Sequence, residues 1–97
     1  MLPIVFLSPA EKYFKKLKDK KLKKKYESAL MEIRKNPDYG DRKTGDLAGI
    51  LGCDVYHNRA NYEIAYYLAE NEKGELVVVV MAGTRENFWD AIKKYMK

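Results

Sequence analysis

The chain has very little of what small folds use as staples. Its 97 residues hold one cysteine, Cys53, and one histidine, His57. An internal disulfide framework is thereby excluded, and a Cys/His zinc cage within one chain cannot be built. No apolar run approaches the roughly 20 residues needed to cross a bilayer. The run from Leu76 to Met81 is of strand length. Met1 to Leu7 have no basic stretch before their apolar residues and no small-residue cleavage site after them, so they read as a strand and not as an export signal. A single thiol and no membrane segment make the cytoplasm the expected location. A chain this short buries one core, which predicts one domain over residues 1–97, with no enclosed cofactor and no metal centre.

What is present is a globular composition, 46% hydrophobic and 34% charged. Leu, Ile, Val, Phe and Tyr are plentiful enough to offset the entropy of ordering the chain. The net charge is +5, and the excess is uneven. Nine of the fourteen residues from Lys12 to Lys25 are lysine, opposed mainly by Asp19. Such density either faces water or attracts a polyanion or an acidic protein.

Periodicity predicts the order strand, helix, helix, three strands, helix. Leu2 to Leu7 is a short apolar strand. Ser8, Pro9 and Glu11 then read as a capping box with proline in the first turn. Ala10, Tyr13, Phe14 and Leu17 form one helical stripe, and Leu22, Tyr26, Ala29, Leu30 and Ile33 form a second that ends before Asn36 and Pro37. Asp38 to Gly49 reads as a surface loop. Strands are expected over Leu51–Arg59, Tyr62–Glu70 and Glu75–Ala82, with a tight turn at Arg59 to Asn61. Thr84 is the expected cap of a last helix with Phe88, Ala91, Ile92 and Tyr95 on its apolar face. The predicted fold class is α+β, β-α-α-β-β-β-α, a four-stranded, mostly antiparallel sheet covered on one face by a helical hairpin and partly open on the other. Strand alternation turns Tyr62, Ile64, Tyr66 and Leu68 toward the core, and Glu63 and Tyr67 toward the open side.

This order, with four local features, resembles the RelE/ParE family of bacterial type II toxin–antitoxin toxins. The features are the opening strand with its Ser8–Glu11 helix start, Gly45-Asp46-Leu47-Ala48-Gly49, Asn61-Tyr62-Glu63-Ile64-Ala65-Tyr66, and the last strand running into Ala82-Gly83-Thr84-Arg85-Glu86-Asn87-Phe88-Trp89. The resemblance implies a toxin neutralised by a cognate antitoxin, which adds a strand to a sheet edge, docks on the lysine-covered helices, or displaces the segment from Thr84 to Lys97. It implies either a ribosome-dependent mRNA endoribonuclease (an mRNA interferase) working without a metal, or a DNA gyrase inhibitor without nuclease activity. A third possibility is an inactive toxin fold acting with its antitoxin in autoregulation.

Ribonuclease chemistry in which the 2′-hydroxyl attacks the adjacent phosphate needs a base, an acid and cations. His57 suits proton transfer at neutral pH, or is a strand histidine of no special role. Glu63 stands where many relatives carry arginine, and reads as a base or as the partner of a nearby cation. Arg85 matches an arginine that family members carry after the last strand, and its guanidinium suits a phosphate. Arg59, Arg42 and Lys43 are loop cations suited to an RNA backbone or to solvent. Tyr67 and Trp89 are candidates for stacking on bases, although Trp89 cannot donate a proton as tyrosine does.

Overall fold

The computed structural model describes residues 1–97. Nine elements follow one another: β1 (Ile4–Phe6), α1 (Ser8–Lys16), α2 (Lys20–Lys35), β2 (Asp41–Arg42), a 3-10 turn (Gly45–Leu47), β3 (Leu51–His57), β4 (Ala60–Asn71), β5 (Gly74–Thr84) and α3 (Phe88–Tyr95). They build one mixed sheet in the order β1-β5-β4-β3-β2, with β1 parallel to β5 and all other pairs antiparallel. The α+β class and the mostly antiparallel sheet stand as expected. The strand count becomes five.

The fifth strand comes from the expected loop. Asp41 and Arg42 pair with Gly52 and Leu51. The Tyr66 hydroxyl fixes this segment by accepting from the Gly40 N–H and donating to the Pro37 carbonyl, both at 2.8 Å. Gly40 approaches so closely that a Cβ there would lie 2.8 Å from the Gly52 carbonyl oxygen. No sequence periodicity announces a two-residue strand.

On one face lie α1, against β5, and α2, against β3. Their core joins Ala10, Leu22, Tyr26 and Ile33 to Leu51, Cys53, Val55, Ile64, Tyr66, Val77 and Val79. Tyr13, Phe14, Tyr26 and Tyr62 meet edge to face at centroid distances of 5.1 to 6.1 Å, and the Tyr13 and Tyr26 hydroxyls bond at 2.9 Å. Burial in this layer raises both phenol pKa values. The other face is not open. Phe88 and Ile92 of α3, with Leu47 and Ile50, close over Ala65 and Val80 as a second core. A bulge between Ala65 and Tyr66 supplies the geometry: Ala65 pairs with Met81 and Tyr66 with Val79, leaving Val80 extra. Val80 and Met81 can then both serve the second core while Val79 serves the first.

Four local expectations are corrected. The capping box does not form: Ser8 is already helical, and Leu7 precedes the helix with no side-chain cap. Thr84 is the last residue of β5, and Asn87, left-handed at φ 57°, precedes α3. On that helix Phe88 and Ile92 are buried, whereas Ala91 and Tyr95 are exposed. The β3–β4 turn is the two-residue Asn58–Arg59, with φ of 49° and 65°, the primed geometry that matches strand twist.

A left-handed arginine is costly where glycine is not. Arg59→Gly is therefore expected to stabilise the fold by about 0.5–1 kcal/mol, read as a higher denaturation midpoint at unchanged m-value. A loss of stability would show that the Arg59 side chain holds the hairpin.

Candidate functional site

The site begins with hairpin register. The Asn58–Arg59 turn sets Asp54 of β3 opposite Glu63 of β4, and β5 sets Gly83 on Glu63's other side. Both carboxylic side chains belong to the face covered by α3. Asp54 is exposed, but Glu63 is only 2% exposed. Arg85 emerges from the end of β5, where its N–H donates to the Asn61 carbonyl at 3.0 Å and its own carbonyl accepts from the Phe88 N–H at 3.1 Å. That anchorage leaves its side chain over Glu63, with Nε 3.6 Å from Oε1, and still 60% exposed. Trp89, the second residue of α3, lies on Gly52: a Cβ there would stand 2.7 Å from the indole ring. The Lys43 Nζ sits 4.3 Å from the Trp89 ring centroid, a cation–π contact.

Burial pushes the Glu63 carboxyl up, and the facing Asp54 pushes it further, because two neighbouring carboxyls favour sharing a proton. Arg85 and Lys43 pull the other way. The balance is a pKa pushed up to about 7 from an ordinary 4.5. Such a carboxyl takes or gives a proton near neutrality, and an exposed guanidinium beside it can meet a phosphate.

The structure therefore brings together Glu63, Arg85, Lys43 and Trp89 of the expected residues, and adds Asp54. What was missing was the turn: centred on Ala60, it would set Asp54 opposite Tyr66. His57 is not in the cluster. It lies on the helix-covered face, where its Nε2 meets Asp19 Oδ2 at 3.1 Å while its buried Nδ1 has no partner. Asp19 also caps α2 through the N–H groups of Lys21 and Leu22, and the Leu22 N–H followed by the His57 ring lowers its pKa. Arg42 is on β2 and ion-paired with Asp38. Arg59 is exposed at the tip of the hairpin whose Asn61 anchors Arg85. Tyr67 is half-buried against the second core and faces Val78. The Cys53 thiol is buried, its pKa pushed up to about 11, which leaves it inert at neutral pH.

With this geometry established, residues 4–93 match the family described as "ParE-like toxin of type II bacterial toxin-antitoxin system". The chain belongs to that family. Solved toxins share its fold at low identity. A YoeB/ParE toxin from Agrobacterium tumefaciens superposes with a TM-score of 0.72 at 12% identity, covering 87% of this chain and 99% of that one. An E. coli RelE mutant in the free state gives 0.69 at 18%, covering 96% of each chain. The intact E. coli RelBE toxin–antitoxin complex gives 0.68 at 17%, covering 86% and 95%. No curated protein matches by sequence. No helix is long and apolar enough to cross a membrane.

Because the folded toxin binds the Glu63 proton more tightly than the unfolded chain, this group contributes stability below about 4.5 that is lost as pH rises through about 7. Glu63→Gln removes that dependence. In urea titrations across the window, the variant's stability relative to wild type is expected to rise with pH. A constant difference would show that Glu63 titrates at an ordinary carboxylate value.

Proposed function

We propose that this ParE-like toxin is an endoribonuclease acting on messenger RNA at the ribosome, with its own side chains supplying base and cations, and that a cognate antitoxin holds it inactive. The observation that carries this reading is a carboxyl with a pKa near neutrality facing an exposed arginine 3.6 Å away. A structural ion pair at a strand end has no need of a base balanced near pH 7; acid–base chemistry does. In the proposed reaction a substrate phosphate meets Arg85 first and draws the guanidinium off Glu63. The freed carboxylate accepts the 2′-hydroxyl proton, the 2′-oxygen bonds to phosphorus as the bond from phosphorus to the 5′-oxygen breaks, and the 5′-oxygen takes a proton from solvent water, giving a cyclic phosphate end. Arg85 and Lys43 stabilise the charge on the phosphorane oxygens. Asp54 keeps Glu63 basic enough to accept that proton at neutral pH, and Trp89 offers a base-stacking surface at the rim. The solved E. coli complex is that of a toxin with its antitoxin, which supports the same kind of partner here. The fold's likeness to RelE and YoeB/ParE toxins supports a toxin site on this sheet.

Gyrase inhibition is a second reading favoured by one observation, the burial of Glu63 beside Arg85, since a binding surface needs no accessible base. Induced expression without an antitoxin separates the two. The nuclease reading expects translation to stop with transcripts cut on ribosomes, and Arg85→Ala or Glu63→Gln to slow cleavage by about 10²–10⁴-fold. Intact transcripts with falling supercoiling activity would establish the gyrase reading. Harmless expression would establish an inactive toxin fold.

A further inference from the structure

Building on the nuclease reading, we propose that the groove between α1 and the end of β5, rimmed by Lys12, Lys16 and Lys18, is a second RNA contact that holds the single-stranded phosphate backbone beside the Glu63–Arg85 cluster. At about 490 Å³ it is larger than the other principal surface grooves, which measure about 290 to 360 Å³. Each of those is lined by at least one Asp or Glu. This one has three lysines and no carboxylate. None of the three lysines is ion-paired, whereas neighbouring Lys15 is held by Glu11. Its floor is apolar, formed by Tyr13, Leu17 and Met81. Cations that track a backbone above an apolar floor that meets bases are what a single strand requires.

Position favours RNA over an acidic protein segment. The α1–α2 connection that carries Lys18 is tied to the end of β3 by the Asp19–His57 contact at 3.1 Å. Arg85 is tied to the other strand of that same hairpin by its N–H to the Asn61 carbonyl at 3.0 Å. The groove and the cluster therefore share one end of the sheet, and Ala82 on the groove wall is three residues from Arg85. A strand seated over Arg85 on the α3 face reaches the groove on the α1 face by rounding the end of β5.

The test is anisotropy of a fluorescein-labelled single-stranded 2′-O-methyl RNA, which cannot be cleaved, titrated with the full chain over a range of salt. Replacing Lys12, Lys16 and Lys18 by alanine is expected to weaken binding about tenfold and to reduce the salt slope by about 2, three phosphates at about 0.7 each. All three side chains are exposed, so folding is spared. A control triple of Lys24, Lys35 and Lys73 to alanine removes the same charge elsewhere and is expected to change affinity less than about twofold. Equal weakening by both triples, no weakening by the groove triple, or no RNA binding by wild type would overturn the proposal. So would a groove triple that keeps RNA and loses a cognate antitoxin. If wild type leaves ribosomal transcripts intact yet binds RNA through these lysines, the nuclease reading fails and the groove stands.

Discussion

A carboxyl group buried between β-strands has to be either neutralised or paired, because removing an ion from water costs several kcal/mol even after relaxation. Glu63 is 2% exposed and faces another carboxyl, Asp54. The local arrangement answers this one constraint. Arg85 lies 3.6 Å away to offset charge, and Lys43, held against Trp89, adds a second cation. Asp54 acts against them and keeps the proton exchangeable. A fully compensated Glu63 would be a strong, inert anion, and an uncompensated one would stay protonated. The balance near 7 is what makes the group useful.

The fold supplies that balance with short pieces at one end of a sheet. The Asn58–Arg59 turn fixes the carboxyl pair, and the chain leaving β5 fixes Arg85 against the same hairpin. The two-residue β2 strand, secured by the Tyr66 hydroxyl, leads directly to Lys43. Gly52 lets the indole of Trp89 come down on the strand. The helices contribute from the other face, where Asp19 joins the α1–α2 connection to His57 and so brings the lysine-rich segment to the same end of the sheet. Solved toxins share the fold at 12–18% identity, and a shared architecture leaves room for this chemistry to differ residue by residue.

Much of this was legible in the sequence. Apolar stripes at helical spacing gave both helices, Val- and Tyr-rich runs gave the long strands, and alternation correctly sent Ile64 and Tyr66 one way and Glu63 the other. The resemblance singled out Arg85, and alternation singled out Glu63. The failures are physical ones. Two-residue elements such as β2 have no period to detect. A type I′ turn occupied by Asn-Arg instead of Asn-Gly has no strong signal, and displacing it shifts the register enough to hide Asp54. His57 ends a strand whose alternation already pointed it toward the core, and its role as a tether to Asp19 depends on a contact 38 residues away. The cover supplied by α3 was readable only in part, since Phe88 and Ile92 mark an apolar face without saying which surface receives it.

The central physical claim is that Glu63 exchanges its proton near neutral pH because Asp54 and burial outweigh Arg85 and Lys43. Carboxyl-carbon NMR of the selectively labelled glutamates reports it directly, with Glu63→Gln identifying the resonance. The account predicts a midpoint near 7 for Glu63, moving down in Asp54→Asn and up in Arg85→Ala. A midpoint near the ordinary 4.5, unmoved by either substitution, would contradict it.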